Sequence, residues 1–112
     1  MGITIGGKCT NREWDMGYGD FMRLRNSIYD YLPFEKMCKW SEAVKDFLEM
    51  PDCDGKLTHR QCKEILDCIK DMPEKGHLYG YIGRGTEHCM TITDFKQMLR
   101  ECYSHRCYLR WN

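Results

Sequence analysis

Apolar residues recur at helical spacing in four segments of the chain. The clearest segment begins after Thr58, which forms a capping-box sequence with Gln61. Its apolar residues follow at i, i+3, i+4 and i+7, namely Cys62, Ile65, Leu66 and Ile69. The same periodicity predicts three further helices, over residues 20–32, about 35–50 and about 93–102. Asp20 is the expected N-cap of the first helix.

Three short segments are predicted as strands, because they combine β-branched or aromatic residues with flanking glycines or turns. They are residues 3–5, 78–82 and 107–111. The first is expected to be a terminal or edge strand. The last is rich in aromatic residues and has the composition to pair with the first.

Residues 56–58 and 91–93 can form a further short bridge; if they pair, Leu57 lies beside Ile92 and two helices come into contact. Together these elements predict a single domain, residues 1–112. Its fold class is α+β and mostly α, with about four helices packed as a small bundle and short terminal and inter-helix strands.

The charge balance and the composition indicate what kind of partner and what kind of fold the chain can have. Seventeen Lys and Arg balance seventeen Asp and Glu, so the formal net charge is zero although 30% of the residues are charged. A balanced surface has no long-range field of one sign, which argues against nucleic acid as a partner. With 42% hydrophobic and 12% aromatic residues, the chain can bury the core of one domain.

The number of cysteines and the first residues of the chain together indicate whether the protein works in a reducing or an oxidising compartment. Eight cysteines in 112 residues fall just short of the roughly 8–10% that is typical of a disulfide scaffold. The first residues contain no apolar run after a basic stretch, so no secretory signal is expected. We therefore predict reduced thiols and a cytoplasmic location in a host cell. No apolar stretch is long enough to span a bilayer, so no membrane partner is expected.

Five residues in the last third of the chain offer ligand atoms for a metal ion: His88, Cys89, Cys102, His105 and Cys107. They contain no CxxC pair, and their spacing differs from that of the usual structural zinc sites. Core thiols and surface histidines explain the same residues. That interpretation is favoured, and no cofactor is expected.

A second metal hypothesis concerns the segment Asp52-x-Asp54-Gly55, which matches the middle of an EF-hand loop. With Gly55 at the sixth position, Met50 and Gln61 occupy the first and twelfth positions, where calcium needs carboxylates. An Asp-Gly turn that leads into a capped helix is therefore the favoured interpretation.

Two glycine–tyrosine turns form the candidate ligand site. Its residues are Gly17, Tyr18, Gly19, Tyr79, Tyr81 and Arg84. Glycine lets a backbone approach a ligand, tyrosine stacks on a base or sugar, and Arg84 offers forked hydrogen bonds to a phosphate. These features make a nucleotide one candidate partner. The alternative is that both segments are turns whose tyrosines pack on the domain.

No catalytic residues are predicted. The four histidines are scattered along the chain, at His59, His77, His88 and His105. The sequence contains no GxSxG elbow, no HExxH pair and no cysteine in a protease-type context. The chain is therefore not expected to be an enzyme.

Five segments carry a resemblance to known proteins: MGYGDFMRLRNSIYDYL, DCDGKLTHRQCKEIL, LYGYIGRG, CMTITDFKQMLRECY and RCYLRW. Together they resemble a family of small uncharacterised proteins from phages, prophages and gut Firmicutes. The resemblance spans most of the chain and implies an intracellular protein. It assigns no activity and no site residue to this sequence.

The combined expectation is a non-catalytic binding or inhibitor protein. Small phage proteins often act as counter-defence effectors, so a host protein is the expected partner, and the abundant Tyr, Trp, Met and Arg suit a recognition surface. Two alternatives stay open. One is a sponge that sequesters a signalling nucleotide, and the other is a structural module stabilised by zinc or by the degenerate EF-hand. A symmetric homo-oligomer is compatible with each.

Overall fold

The described part of the chain forms four helices and a six-stranded antiparallel sheet. In this computed structural model the described residues are 2–7, 9–10, 13–32, 42–74, 79–82 and 89–112. The strands are β1 (Gly2–Gly7), β2 (Trp14–Gly17), β3 (Gly55–Leu57), β4 (Tyr79–Ile82), β5 (Cys89–Met90) and β6 (Leu109–Trp111). The helices are α1 (Tyr18–Tyr31), α2 (Glu42–Glu49), α3 (His59–Ile69) and α4 (Ile92–Ser104). The predicted α+β fold, with four helices and short strands, is confirmed.

The strands lie in the order β3-β6-β1-β2-β4-β5, and each neighbouring pair is antiparallel. In β1, Ile5 lies opposite Trp111 on one side and opposite Trp14 on the other. Reciprocal backbone hydrogen bonds of 2.9 and 3.1 Å between Thr4 and Asn112 extend the pairing of β1 with β6. The predicted pairing of the terminal strands is confirmed. The first strand lies inside the sheet and not at its edge.

Buried and exposed positions alternate along the strands, as expected for a sheet with one face on the core. In β1 and β6 the buried positions are Ile3, Ile5, Gly7, Leu109 and Trp111. The rings of Phe21 and Phe47 both pack on Trp111, with centroids 5.5 Å from it. The Trp111 indole N–H donates a 3.0 Å hydrogen bond to the carbonyl of Pro51. Trp111 therefore ties α1, α2 and the turn before β3 to the sheet.

Capping boxes begin two of the helices. At α3 the Thr58 hydroxyl accepts from the Gln61 N–H, and the Gln61 side chain accepts from the Thr58 N–H, as predicted. At α4 Thr91 and Asp94 form the same reciprocal arrangement. The α4 helix therefore begins slightly earlier than the periodicity predicts.

The predicted N-cap of the first helix is wrong. Gly17 is the N-cap of α1 and makes no side-chain hydrogen bond. Asp20 lies inside the first turn, where its carboxylate is 3.5 Å from Arg23. The reason is that the chain becomes helical directly on leaving β2, and a carboxylate in the first turn still favours the helix through its dipole.

The expected bridge between residues 56–58 and 91–93 does not form. Leu57 pairs with Leu109 in the ladder between β3 and β6, whereas Ile92 is the first residue of α4. The strands β3 and β5, which precede the two capped helices, lie at opposite edges of the sheet. The contact between α3 and α4 is made by their own buried faces instead.

The second predicted helix, residues 35–50, is confirmed over the length of α2. Residues 35–41 lie outside the described part of the chain. The strand predicted at residues 78–82 is confirmed as β4. Within the described ranges, no helix has the length and apolar character that crossing a membrane requires.

Arg25 in α1 is a buried cation, with 7% of its surface exposed. Its guanidinium carbon lies 4.4 Å from the ring centroid of Phe21 and 5.5 Å from that of Phe47. The Nε and Nη2 atoms have no hydrogen-bond partner in the described structure. Burial lowers the pKa of Arg25, and the nearby charge of Asp52 partly offsets this effect. Cation–π contacts with these rings stabilise the buried guanidinium.

We expect Gly55→Ala to lower the free energy of unfolding by about 2–3 kcal/mol, because overpacking a filled core forces strain. A Cβ at Gly55 would overlap the buried indole ring of Trp111. Gly19→Ala is the matched control, since a Cβ there meets no atom within 4 Å. Urea unfolding measures both variants, and equal effects would contradict this account of the packing.

Arg25→Met is expected to keep the free energy of unfolding within about 1 kcal/mol of the native value, because it removes a buried charge while keeping apolar volume. Arg25→Ala leaves a cavity between the rings and is expected to cost about 2–3 kcal/mol. Thermal unfolding followed by circular dichroism compares the two. A loss with methionine as large as that with alanine would show that the charge itself stabilises the fold.

Candidate cysteine centre

Cys9 and Cys107 are brought together by the pairing of the terminal strands. In the ladder between β1 and β6, Gly7 lies opposite Leu109. Cys9 comes two residues after Gly7 and Cys107 two residues before Leu109, so both leave the ladder at the same end. Their Cα atoms are 6.3 Å apart and their sulfurs form a disulfide that spans 98 residues of sequence.

Cys102 joins this pair from the last turn of α4. Its side chain is fully buried, and its sulfur lies within 4.8 Å of the sulfurs of both Cys9 and Cys107. After α4 the chain reverses through Arg106, which has a φ of 54°, and the Cys107 N–H donates a 3.0 Å hydrogen bond to the Cys102 carbonyl. This turn places Cys107 back over the helix end, beside Cys102.

Gly7 provides the space that Cys102 occupies. A Cβ at Gly7 would overlap the Cys102 sulfur and would come 3.0 Å from the Thr10 methyl group. The Thr10 hydroxyl donates a 2.9 Å hydrogen bond to the Gly7 carbonyl and accepts a 3.0 Å hydrogen bond from the Gly7 N–H. Thr10 therefore fixes the turn that carries Cys9 towards α4.

Cys62 on α3 is a neighbour of Cys102 in the core but lies outside the group of three sulfurs within 4.8 Å of one another. Its fully buried thiol is hydrogen-bonded to Cys102 and accepts from the backbone N–H of Leu109. The hydrogen bond with Cys102 and burial both raise the pKa of Cys62, and the same hydrogen bond lowers the pKa of Cys102. Of the two, Cys102 is therefore the thiol that more readily becomes a thiolate.

The arrangement has two chemical capacities. In the oxidised form, a disulfide lies next to a buried thiol. In the reduced form, the three clustered cysteines offer thiolates to a soft metal ion. Tetrahedral zinc holds each sulfur at about 2.3 Å, which puts pairs of sulfurs about 3.8 Å apart. Cys102 already lies within 4.8 Å of both other sulfurs, whereas Cys9 and Cys107, which are bonded in the disulfide, must move apart after reduction.

The metal ligands predicted from sequence overlap this centre only in part. The structure brings together Cys102 and Cys107, whereas Cys89 in β5 and His105 after α4 do not join the cluster. His88 lies outside the described residues. Cys9 was not among the predicted ligands, although its two-residue offset from the first strand mirrors that of Cys107 from the last.

The prediction of reduced thiols is wrong for Cys9 and Cys107, which form a disulfide because strand pairing holds them side by side. Five other cysteines are free in the described structure: Cys53, Cys62, Cys68, Cys89 and Cys102. Of these, Cys62 and Cys102 are fully buried on apolar helix faces, where core thiols were predicted.

The predicted glycine–tyrosine site lies elsewhere, at the junction of β2, α1 and β4. Gly17, Tyr18 and Gly19 form the passage from β2 into α1, and Tyr81 pairs with Asp15 in the neighbouring strand. Tyr79 is completely buried, and its hydroxyl donates a 2.7 Å hydrogen bond to Ser27, so its ring has no exposed face. Arg84 lies outside the described residues, so the proposed phosphate contact stays a prediction.

Gly7→Ala is expected to lower the free energy of unfolding by about 2–3 kcal/mol, because its Cβ collides with a buried sulfur. In a Cys102→Ala background the same substitution is expected to cost at least about 1 kcal/mol less, since the sulfur is gone. Chemical denaturation of the four variants completes the cycle. Additive effects would contradict the close contact between Gly7 and Cys102.

No family model, no curated protein and no solved structure matches this chain.

Proposed function

We propose that this protein is a non-catalytic module whose cysteine centre binds a soft divalent metal ion, zinc in the first place. The ligands are the thiolates of Cys9, Cys102 and Cys107 in the reduced chain. The observation that supports the proposal is the mutual approach of the three sulfurs to within 4.8 Å. Cysteine thiolates, alone or together with histidine, hold zinc in structural sites.

The position of the centre suits a structural role. Cys9 follows the first strand, Cys107 precedes the last, and Cys102 lies in the last turn of α4. A metal held by these residues cross-links both ends of the chain to a helix. The free energy of metal binding then adds directly to that of folding, as it does in small zinc-stabilised domains.

Binding of a host protein is a second proposed function, with α1 as the contact surface. Met22 and Tyr29 are 49% and 50% exposed. They are seven residues apart, so they lie on one side of the helix. Large exposed side chains of this type are favoured at recognition surfaces. The resemblance to phage and prophage proteins supports a counter-defence role for such a surface.

The host-protein proposal is tested by affinity capture from host extract with the native chain and with a Met22→Ser, Tyr29→Ser variant. A defined protein that the native chain retains and the variant loses supports the surface on α1. Equal retention by both chains would rule out that surface.

For the metal centre, we expect the reduced chain to bind one zinc ion and to melt at a higher temperature with zinc than with a chelator. Cys102→Ala is expected to weaken zinc binding at least about 100-fold, because it removes a ligand. Cys53→Ala is the control, since Cys53 is exposed and lies outside the cluster. Native mass spectrometry gives the stoichiometry. A reduced chain that takes up no zinc would refute the proposal.

A further inference from the structure

The turn after α4 brings two cysteines of the chain against each other. The Arg106 N–H donates a 3.1 Å hydrogen bond to the Tyr103 carbonyl, and the Cys107 N–H donates one of 3.0 Å to the Cys102 carbonyl. Together with the left-handed backbone of Arg106, at a φ of 54°, these bonds form a Schellman motif. The side chains at the positions that Cys102 and Cys107 occupy in this motif are commonly in contact. The local turn therefore sets Cys102 against Cys107.

Cys102 also lies against the disulfide as a whole. Its sulfur is within 4.8 Å of the sulfurs of both Cys9 and Cys107, which are bonded to each other. Groups that react with each other start from a separation of about 3–3.5 Å, so a further approach of at most about 2 Å is needed. The Cys102 thiol is therefore close enough to attack the disulfide without unfolding of the helix or the strands.

Cys9 has a hydrogen-bond acceptor in place for a free thiol. Its sulfur lies 3.8 Å from the carbonyl oxygen of Glu101, near the end of α4. A disulfide sulfur has no proton to donate, whereas a thiol donates a weak hydrogen bond. The Glu101 carbonyl can therefore accept a hydrogen bond from Cys9 once the disulfide has been transferred away from it.

We propose that Cys102 is an internal nucleophile that moves the disulfide from Cys9–Cys107 to Cys102–Cys107 and thereby releases Cys9 as a modification site. The released thiol reacts with soft electrophiles and with the disulfides of small thiols. The exchange concerns the oxidised chain without metal, so it is independent of the metal-binding function proposed above.

The exchange needs no added oxidant or reductant. The Cys102 thiolate attacks the Cys107 sulfur, a new bond forms between these two sulfurs, and the bond between Cys107 and Cys9 breaks. The electron pair of the broken bond leaves with Cys9. One proton leaves Cys102 and one is taken up by Cys9, so the mass and the oxidation state of the chain do not change. When Cys9 then attacks the disulfide of a small thiol, it forms a mixed disulfide and releases one small thiol.

The exchange also changes which parts of the chain are joined. The disulfide between Cys9 and Cys107 spans 98 residues, whereas Cys102 and Cys107 are five residues apart. A disulfide restrains the unfolded chain more strongly when it closes a longer loop. The chain with Cys9 released is therefore expected to melt at a lower temperature than the chain with the long-range disulfide.

The test traps the released thiol of the oxidised full chain with N-ethylmaleimide. A chelator is present throughout, so that no metal occupies the cysteines. We expect Cys9 to become labelled with time, and peptide mapping without reduction to locate the remaining disulfide between Cys102 and Cys107. The labelling rate is expected to be independent of protein concentration, because the reacting groups belong to one chain.

Variants identify the nucleophile. Cys102→Ala and Cys102→Ser remove it, and we expect both to label Cys9 at least about 10-fold more slowly than the native chain, because a positioned neighbouring group is lost. Cys62→Ala is the control, since it removes a second buried thiol that lies outside the sulfur cluster, and it is expected to keep the native rate. Labelling of the exposed Cys53 shows in each sample that the reagent is active. Circular dichroism checks the fold, and the serine variant is used if the alanine variant is unfolded.

Each outcome supports or overturns the exchange. Labelling of Cys9 that requires Cys102, with the disulfide then between Cys102 and Cys107, supports it. A native chain that keeps the disulfide of Cys9 and Cys107 and leaves Cys9 unlabelled overturns it. Labelling of Cys107 with a disulfide between Cys9 and Cys102, or equal labelling of Cys9 with and without Cys102, overturns it as well. Zinc binding by the reduced chain is measured separately, so failure of the exchange leaves the metal-binding proposal standing.

Discussion

The pairing of the first strand with the last is the constraint on which the structure depends. β1 and β6 lie inside the sheet, and each also pairs with a further strand on its outer side. Closing so long a loop carries an entropic cost that grows only slowly with chain length. The ladder hydrogen bonds and the burial of Ile5 and Trp111 against the helices offset that cost. Trp111 then serves as the surface on which Phe21 and Phe47 pack.

The cysteine centre is a consequence of that pairing. Cys9 and Cys107 meet because they leave the same end of one ladder, and Cys102 meets them because α4 ends there. Gly7 completes the arrangement, since it is the position in β1 that faces the Cys102 sulfur. A cysteine of this centre can therefore be both a core residue and a candidate metal ligand. Cys62 and Cys102 are core residues of two helices, and Cys102 also lies beside the disulfide.

Local features could be predicted well from the sequence, because their determinants lie within a few residues of one another. The capping box of Thr58 and Gln61 and the apolar stripe behind it were predicted correctly. Asp20 was wrongly predicted as the N-cap of α1, because the start of this helix is set by the strand that precedes it and not by a side-chain cap. The bridge expected between Leu57 and Ile92 failed because the partner of β3 is β6, from the far end of the chain.

Only part of the candidate centre could be predicted from the sequence. Cys102 and Cys107 are near neighbours and were recognised as ligand candidates, whereas Cys9 lies 98 residues from its partner. The sequence by itself determined the helices, their caps and the tendency of the terminal segments to form strands, because these depend on local hydrogen bonds and apolar periodicity. Tertiary structure decided the order of the strands and which sulfurs meet, because both depend on contacts between segments that are distant along the chain.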